Sequence, residues 1–282
     1  MRVLIAGCGY VGSALARRLA DAGCEVFGLR RTPSGLPDAV RPITADLSDR
    51  ATLRGLPGDL SAVVYTAAAD GFHEALYKAA YIEGPRNLLA VLEEQAQSPR
   101  RILFTSSTAV YGQSNGEWVD ETSPTNPPGF SGRCLLEGEQ LILASRYPGL
   151  VVRLGGIYGP GRTRLIESVR SGKAKLRESP PHYTNRIHRD DCAGVLEHLL
   201  GLEAPQRVYL GVDCEPADES LVLHWLAERL AVSLPPLEPE RGAPNGRSRG
   251  SKRAANDRLL ASGYRFLYPT FREGYGTLLS AG

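Results

Sequence analysis

At 282 residues, with 42% hydrophobic and 23% charged side chains, the chain suits one compact unit with an elaborated lobe rather than two independent domains. Lys and Arg number 33 against 31 Asp and Glu, and a net charge of +2 argues neither for a nucleic-acid surface nor for an acidic partner. The five cysteines are odd in number without metal-ligand spacing, and no long apolar stretch follows Met1. Reduced thiols, no metal site and a cytoplasmic protein with neither signal peptide nor membrane span are therefore expected.

Val3-Leu4-Ile5-Ala6 is a continuous apolar run, as expected of a strand buried on both faces. Gly7 to Gly12 lead from it into a helix with Val11, Leu15 and Leu19 on one side. Residues 25–29 and 62–66 read as further strands. A helix over about 72–95 follows, with Gly84-Pro85 set to kink it. Residues 101–105, 150–154 and 207–210 continue the strand series. Strands separated by helices predict right-handed crossovers, hence an α/β fold with a Rossmann-type doubly wound parallel sheet. Residues 1–158, together with the late strands, are assigned to that core. Residues 159–282 are assigned mostly to a smaller C-terminal substrate lobe interleaved with it.

The run GCGYVG fits G-x-G-x-x-G at Gly7, Gly9 and Gly12. In that setting glycines make the tight turn, let backbone approach a pyrophosphate, and let helix pack close to strand. Gly7, Cys8, Gly9, Tyr10, Val11 and Gly12 are therefore candidate dinucleotide-binding residues, with the helix N-terminus facing the anion. Where an acid would hold the ribose 2′-hydroxyl of NAD, the chain carries Arg30 and Arg31. A guanidinium there suits a 2′-phosphate, so NADP is expected over NAD, with NAD as the alternative.

Further along, ADLSD (45–49), VVYTAAA (63–69), FTSSTAVYG (104–112), RLGGIYGPG (153–161) and NRIHRDDCAG (185–194) together resemble the extended short-chain dehydrogenase/reductase family, which includes nucleotide-sugar epimerases and dehydratases. The resemblance covers most of residues 1–200. It implies an NAD(P)-binding oxidoreductase or epimerase scaffold and a small-molecule substrate, anionic or sugar-nucleotide-like. A homodimer is a reasonable assembly for it. It implies that Asp46 and Leu47 lie at the adenine, that Ala67, Ala68, Ala69 and Thr105 lie near the pyrophosphate and nicotinamide ribose, and that Ser107 is the catalytic hydroxyl. The glycine spacing departs from the family's usual G-x-x-G-x-x-G and points to an atypical branch.

A second departure is larger. Where the family carries Tyr-x-x-x-Lys, this chain reads Ser131 and Leu135, with Gly132-Arg133 and Gly138-Glu139 fixing the register. Serine is far harder to ionise than tyrosine, and leucine brings no charge to help. Acid–base assistance is typically worth about 10²–10⁴ in rate, so a substitute is needed. Tyr111, Tyr158, Cys134, His182, His188 and Asp190-Asp191 are candidates, each with a structural role as the commoner alternative. A basic run with Arg247, Arg249, Lys252 and Arg253 could receive an anionic substrate or be a solvated charge cluster. Two readings stay open: an NADP-dependent oxidoreductase of a carbonyl or sugar-nucleotide-like substrate with a non-standard acid/base, or a non-catalytic dinucleotide-binding redox sensor or partner-binding protein.

Overall fold

A computed structural model of the chain describes residues 1–32, 34–177, 180–238 and 250–280. Among these, seven parallel strands form the central sheet: β1 (Arg2–Ala6), β2 (Glu25–Arg30), β3 (Val40–Thr44), β4 (Ala62–Tyr65), β5 (Ile102–Ser107), β6 (Gly149–Leu154) and β7 (Val208–Gly211). Their order is β7-β6-β5-β4-β1-β2-β3. The chain winds outward from β1 through β2 to β3, then returns to place β4 on the other side of β1. That reversal opens a crevice at the carboxyl ends of β1 and β4, where open α/β sheets bind ligands.

Successive strand residues point to opposite faces, so both faces need cover. Val3 and Ile5 pack with Leu15 and Leu19 of α1 (Tyr10–Asp21), together with Val195 and Leu199. Leu4 meets the other layer, where Leu88, Val91 and Leu92 sit beside Phe104 and Ile142. That layer contains α2 (Glu74–Lys78), α3 (Gly84–Glu94) and α4 (Phe130–Ala144).

Strand β3 was not expected. Its sequence is VRPIT, and only Val40 in it is fully buried. An edge strand tolerates Pro42, whose missing N–H costs nothing where no partner lies beyond, and its exposed Arg41 hides the strand signal. The remaining helices are α5 (Arg164–Arg170), α6 (Arg189–Gly201), α7 (Glu219–Leu230), α8 (Asp257–Ala261) and α9 (Phe271–Ser280). Helices α5, α7 and α9 close a separate apolar core around Ile166, Val169, Leu226, Phe271 and Tyr275. Helix α6 instead returns to the sheet beside α1. Among the described residues, no helix is long and apolar enough to cross a membrane.

Candidate active site

The turn after β1 is held by backbone. The Gly7 and Cys8 N–H groups both donate to the Leu29 carbonyl, at 3.0 and 2.9 Å. The Thr66 hydroxyl donates to the Gly7 carbonyl at 2.9 Å, tying the turn after β4 to the turn after β1. Together they leave the first turn of α1 facing an open cleft of about 640 Å³. Unpaired N–H groups and the positive dipole end make such a helix start a site for anions.

Gly7, Gly9, Tyr10, Val11, Arg30, Arg31, Asp46, Leu47, Ala67, Ala68, Ala69, Thr105 and Ser107 all line this cleft. Three expected residues do not. Cys8 is fully buried beneath the turn, and its N–H is spent on Leu29. Gly12 is buried on the strand side of α1, pressed against Thr66 and Gly7. Ser131, in the first turn of α4, is half-buried and lies off the cleft lining, whereas Leu135 one turn later is part of it. Leu135 belongs to an apolar cluster with Val110, Tyr111, Val119 and Leu210, which explains why an uncharged residue is accommodated there.

At the end of the cleft near β2, Asp46 accepts hydrogen bonds from the Ser48 hydroxyl at 2.7 Å and the Ser48 N–H at 2.9 Å. Those bonds hold its carboxyl below the usual range. Arg31 reaches across the mouth to Asp70, with Nη2 2.8 Å from both carboxylate oxygens. Both side chains are exposed, so the pair is weak and open to exchange for a stronger anion. At the opposite end, the Ser107 Oγ accepts from the Ala109 N–H at 3.2 Å. Its own O–H proton is then available for a ligand oxygen.

The substitutes named from sequence are mostly absorbed by the fold. Tyr111 donates to the Asp120 carbonyl and accepts from Arg153, both at 2.7 Å, and burial pushes its hydroxyl up to about 12. Tyr158 is buried against Tyr275 and His188, which drives its ionisation far upward. His188 is fully buried, and its Nδ1 accepts the Asp190 N–H at 3.2 Å, capping α6. Asp191 accepts from the Tyr264 hydroxyl and the Leu267 and Tyr268 N–H groups, pinning the C-terminal segment to α6. His182 is buried beside Glu219. Burial raises the Cys134 thiol.

The basic run resolves differently as well. Lys252 is buried, and the Arg253 guanidinium lies 5.0 Å from the Trp118 ring and 4.8 Å from the Tyr183 ring. These two are packing residues in a strand (Ser251–Ala254) paired with Asn115–Val119. Arg247 and Arg249 lie outside the described residues.

Among the cleft residues that the sequence reading did not single out are Thr66, Tyr81 and Arg162. Arg162 follows GPG in the excursion after β6, and its guanidinium lies 4.1 Å from the Tyr10 ring centroid. The Tyr10 hydroxyl donates to the Pro160 carbonyl at 2.9 Å, so this loop is fastened to the start of α1. A cation at that place adds to the anion site built by the helix. Replacing Arg162 by alanine is expected to weaken NADPH binding by about 10- to 100-fold, the value of one charge-assisted hydrogen bond at about 1.5–3 kcal/mol. Fluorescence titration reads it, and unchanged affinity would remove Arg162 from the site.

Comparison with known proteins bears on this geometry. Residues 3–196 match the NAD dependent epimerase/dehydratase family. The 3-diazoavenalumate denitrifying reductase of a Streptomyces species is 30% identical over 98% of this chain and 99% of its own length. A solved structure from Methylobacillus flagellatus, a candidate NAD-dependent epimerase/dehydratase, is 38% identical with a TM-score of 0.81, covering 99% of this chain and 98% of that one. The human epimerase family protein SDR39U1, solved with NADPH, has the same fold at 24% identity, with a TM-score of 0.81 and coverage of 99% of both chains.

Proposed function

The chain belongs to the NAD dependent epimerase/dehydratase family, and from that premise we propose that it is an NADP(H)-dependent reductase of a carbonyl compound. The observation that carries this reading is one continuous cleft. It has two arginines at the β2 end and a serine hydroxyl with a free proton at the β5 end. The cradle fits a dinucleotide: a side chain on Gly7 would collide with the Ala67 backbone at 2.4 Å, so the turn is shaped for close approach.

In this reading Gly7, Gly9, Tyr10 and Val11 hold the pyrophosphate, and Asp46 and Leu47 border the adenine. Arg30 and Arg31 meet a 2′-phosphate, while Ala67 to Ala69 and Thr105 border the nicotinamide ribose. NADPH, when bound, supplies a hydride. Ser107 donates a hydrogen bond to the substrate oxygen and stabilises negative charge developing there. Reduction suits the site better than alcohol oxidation, because Ser131 and Leu135 provide no base to take a proton from an alcohol. The Streptomyces relative is likewise named as a reductase. An anionic or sugar-nucleotide-like carbonyl is the substrate class in keeping with the family.

NADPH oxidation against a panel of aldehydes, ketones and keto-sugar nucleotides tests the proposal. Turnover should prefer NADPH to NADH, and Ser107→Ala should lower kcat by about 10²–10³-fold while NADPH binding persists. If no carbonyl oxidises NADPH in the wild type, the reductase reading fails. A dinucleotide-binding sensor then becomes the better account.

A further inference from the structure

Helices α2 and α3 are parts of one helical run, and the five residues joining them, Ala79–Glu83, form a π turn. The cause is local. Pro85 has no N–H, and its ring crowds the carbonyl four residues back, which is that of Tyr81. A wider turn relieves that crowding, and such insertions re-aim the side chains they carry. Helix α4 then packs tightly on the widened turn: a Cβ on Gly138 would lie 2.2 Å from the Tyr81 carbonyl oxygen. Only glycine lets α4 approach this closely, so the Tyr81 backbone is clamped between Pro85 and Gly138.

The clamp puts Tyr81 in the cleft lining with Ser107, Leu135 and Leu154. Its half-buried ring packs beside the apolar cluster that contains Leu135. The Tyr77 ring, 5.3 Å away, and Phe130 beyond it brace the other side. Two more tyrosines line the cleft, and both are committed elsewhere. Tyr65 is fully buried and donates to the Ala80 carbonyl, while Tyr10 donates to Pro160 at the start of α1. The Ala69 backbone amide lies beside the Tyr81 hydroxyl. Among the described residues, no side chain accepts the Tyr81 proton.

We propose that Tyr81 is the proton donor of this site, giving its phenolic proton to the substrate oxygen that Ser107 polarises. The assignment rests on the reductase reading. In the balanced step the carbonyl carbon receives hydride from the reduced nicotinamide. The C=O π pair moves to oxygen, the oxygen takes the Tyr81 proton, and solvent returns a proton to the tyrosinate. Burial pushes the Tyr81 hydroxyl up to about 12, so it stays protonated at neutral pH. A product alkoxide is more basic still, which makes the transfer downhill. A lysine in place of Leu135 would favour the tyrosinate, whereas leucine keeps the donor charged with its proton.

Tyr81→Phe keeps the ring contacts and removes only the hydroxyl. It should lower kcat by about 10²–10⁴-fold and leave NADPH affinity within about twofold. A second readout does not need turnover. The ultraviolet difference between wild type and Tyr81→Phe on raising the pH should show a tyrosinate that forms above the ordinary tyrosine range. That ionisation should move to lower pH with NADP⁺ bound and not with NADPH, since only the oxidised ring carries positive charge near the hydroxyl. A Tyr81→Phe variant with undiminished kcat, or an ionisation indifferent to the oxidation state of the nicotinamide, overturns the assignment. If Ser107→Ala loses activity and Tyr81→Phe does not, only this inference falls. If the wild type reduces no carbonyl, both readings fall.

Discussion

Replacing Glu139 by alanine is expected to destabilise the fold by about 3–5 kcal/mol, because it strands a buried guanidinium. Glu139 is 1% exposed and Arg153 is 6% exposed. The Arg153 Nε lies 3.0 and 3.2 Å from the two carboxylate oxygens, and Nη2 lies 2.7 Å from Oε2. Ser106 donates its hydroxyl to Oε1 at 2.5 Å, and the Arg153 Nη1 donates to Tyr111. The Ser106 hydroxyl and the Arg153 Nε and Nη2 all depend on the carboxylate, so its loss leaves buried donors without an acceptor. The network joins α4 to β5 and β6, directly behind Ser107. Urea unfolding should show a lowered midpoint with little change in slope. The double replacement Glu139→Leu with Arg153→Met should recover much of the loss, since well-packed apolar pairs often match buried ion pairs. A cost below about 1 kcal/mol for Glu139→Ala would mean that water reaches Arg153 and that the knot is not buried as described.

Gly7→Ala is expected to have an effect of similar size at the cofactor cradle. Gly7 has φ of +90°, which an L side chain rarely adopts, and an added Cβ would sit 2.4 Å from the Ala67 Cα and N. Strained backbone costs about 1–3 kcal/mol and overpacking against backbone about 1–3 more. Relief requires the turns after β1 and β4 to part, which breaks the Thr66 hydrogen bond to Gly7 and opens the anion site. If about 3 kcal/mol of that strain is relieved on opening, NADPH affinity falls roughly 100-fold. Calorimetric titration beside a thermal melt separates the two consequences. Full affinity together with an unchanged melting temperature would show that the turn adapts, and that close approach at Gly7 is not what shapes the cradle.

Some of the site was legible because its determinants are local. A strand, a glycine turn and a helix start are contiguous in sequence, so Gly7, Gly9, Tyr10 and Val11 could be placed from residues 1–21 alone. Arg30 ends the next strand and Arg31 follows it directly, so both inherit their position from it. The resemblance to known segments carried Asp46, Thr105 and Ser107. Ser131 lies off the cleft lining because the packing of α4, which sequence register does not reveal, decides which of its turns faces the cleft. Cys8 lies beneath the turn, its N–H taken by Leu29, a partner from another strand that sequence alone does not reveal.

What the sequence determined by itself is the alternation of buried strands and helices, hence the parallel sheet, the crevice beside β1 and the basic end that favours a phosphorylated ribose. What only the tertiary structure decided is which side chains meet across the chain. Arg162 reaches Tyr10 across 152 positions, and Lys252 and Arg253, which read as loop, are drawn into packing. Tyr81 is the sharpest case. The Gly84-Pro85 kink was visible, but its consequence depends on Gly138 pressing against the widened turn and on Leu135 leaving apolar space beside it. Local signals fix backbone conformation, whereas a site is made by side chains whose neighbours are set by packing between distant elements.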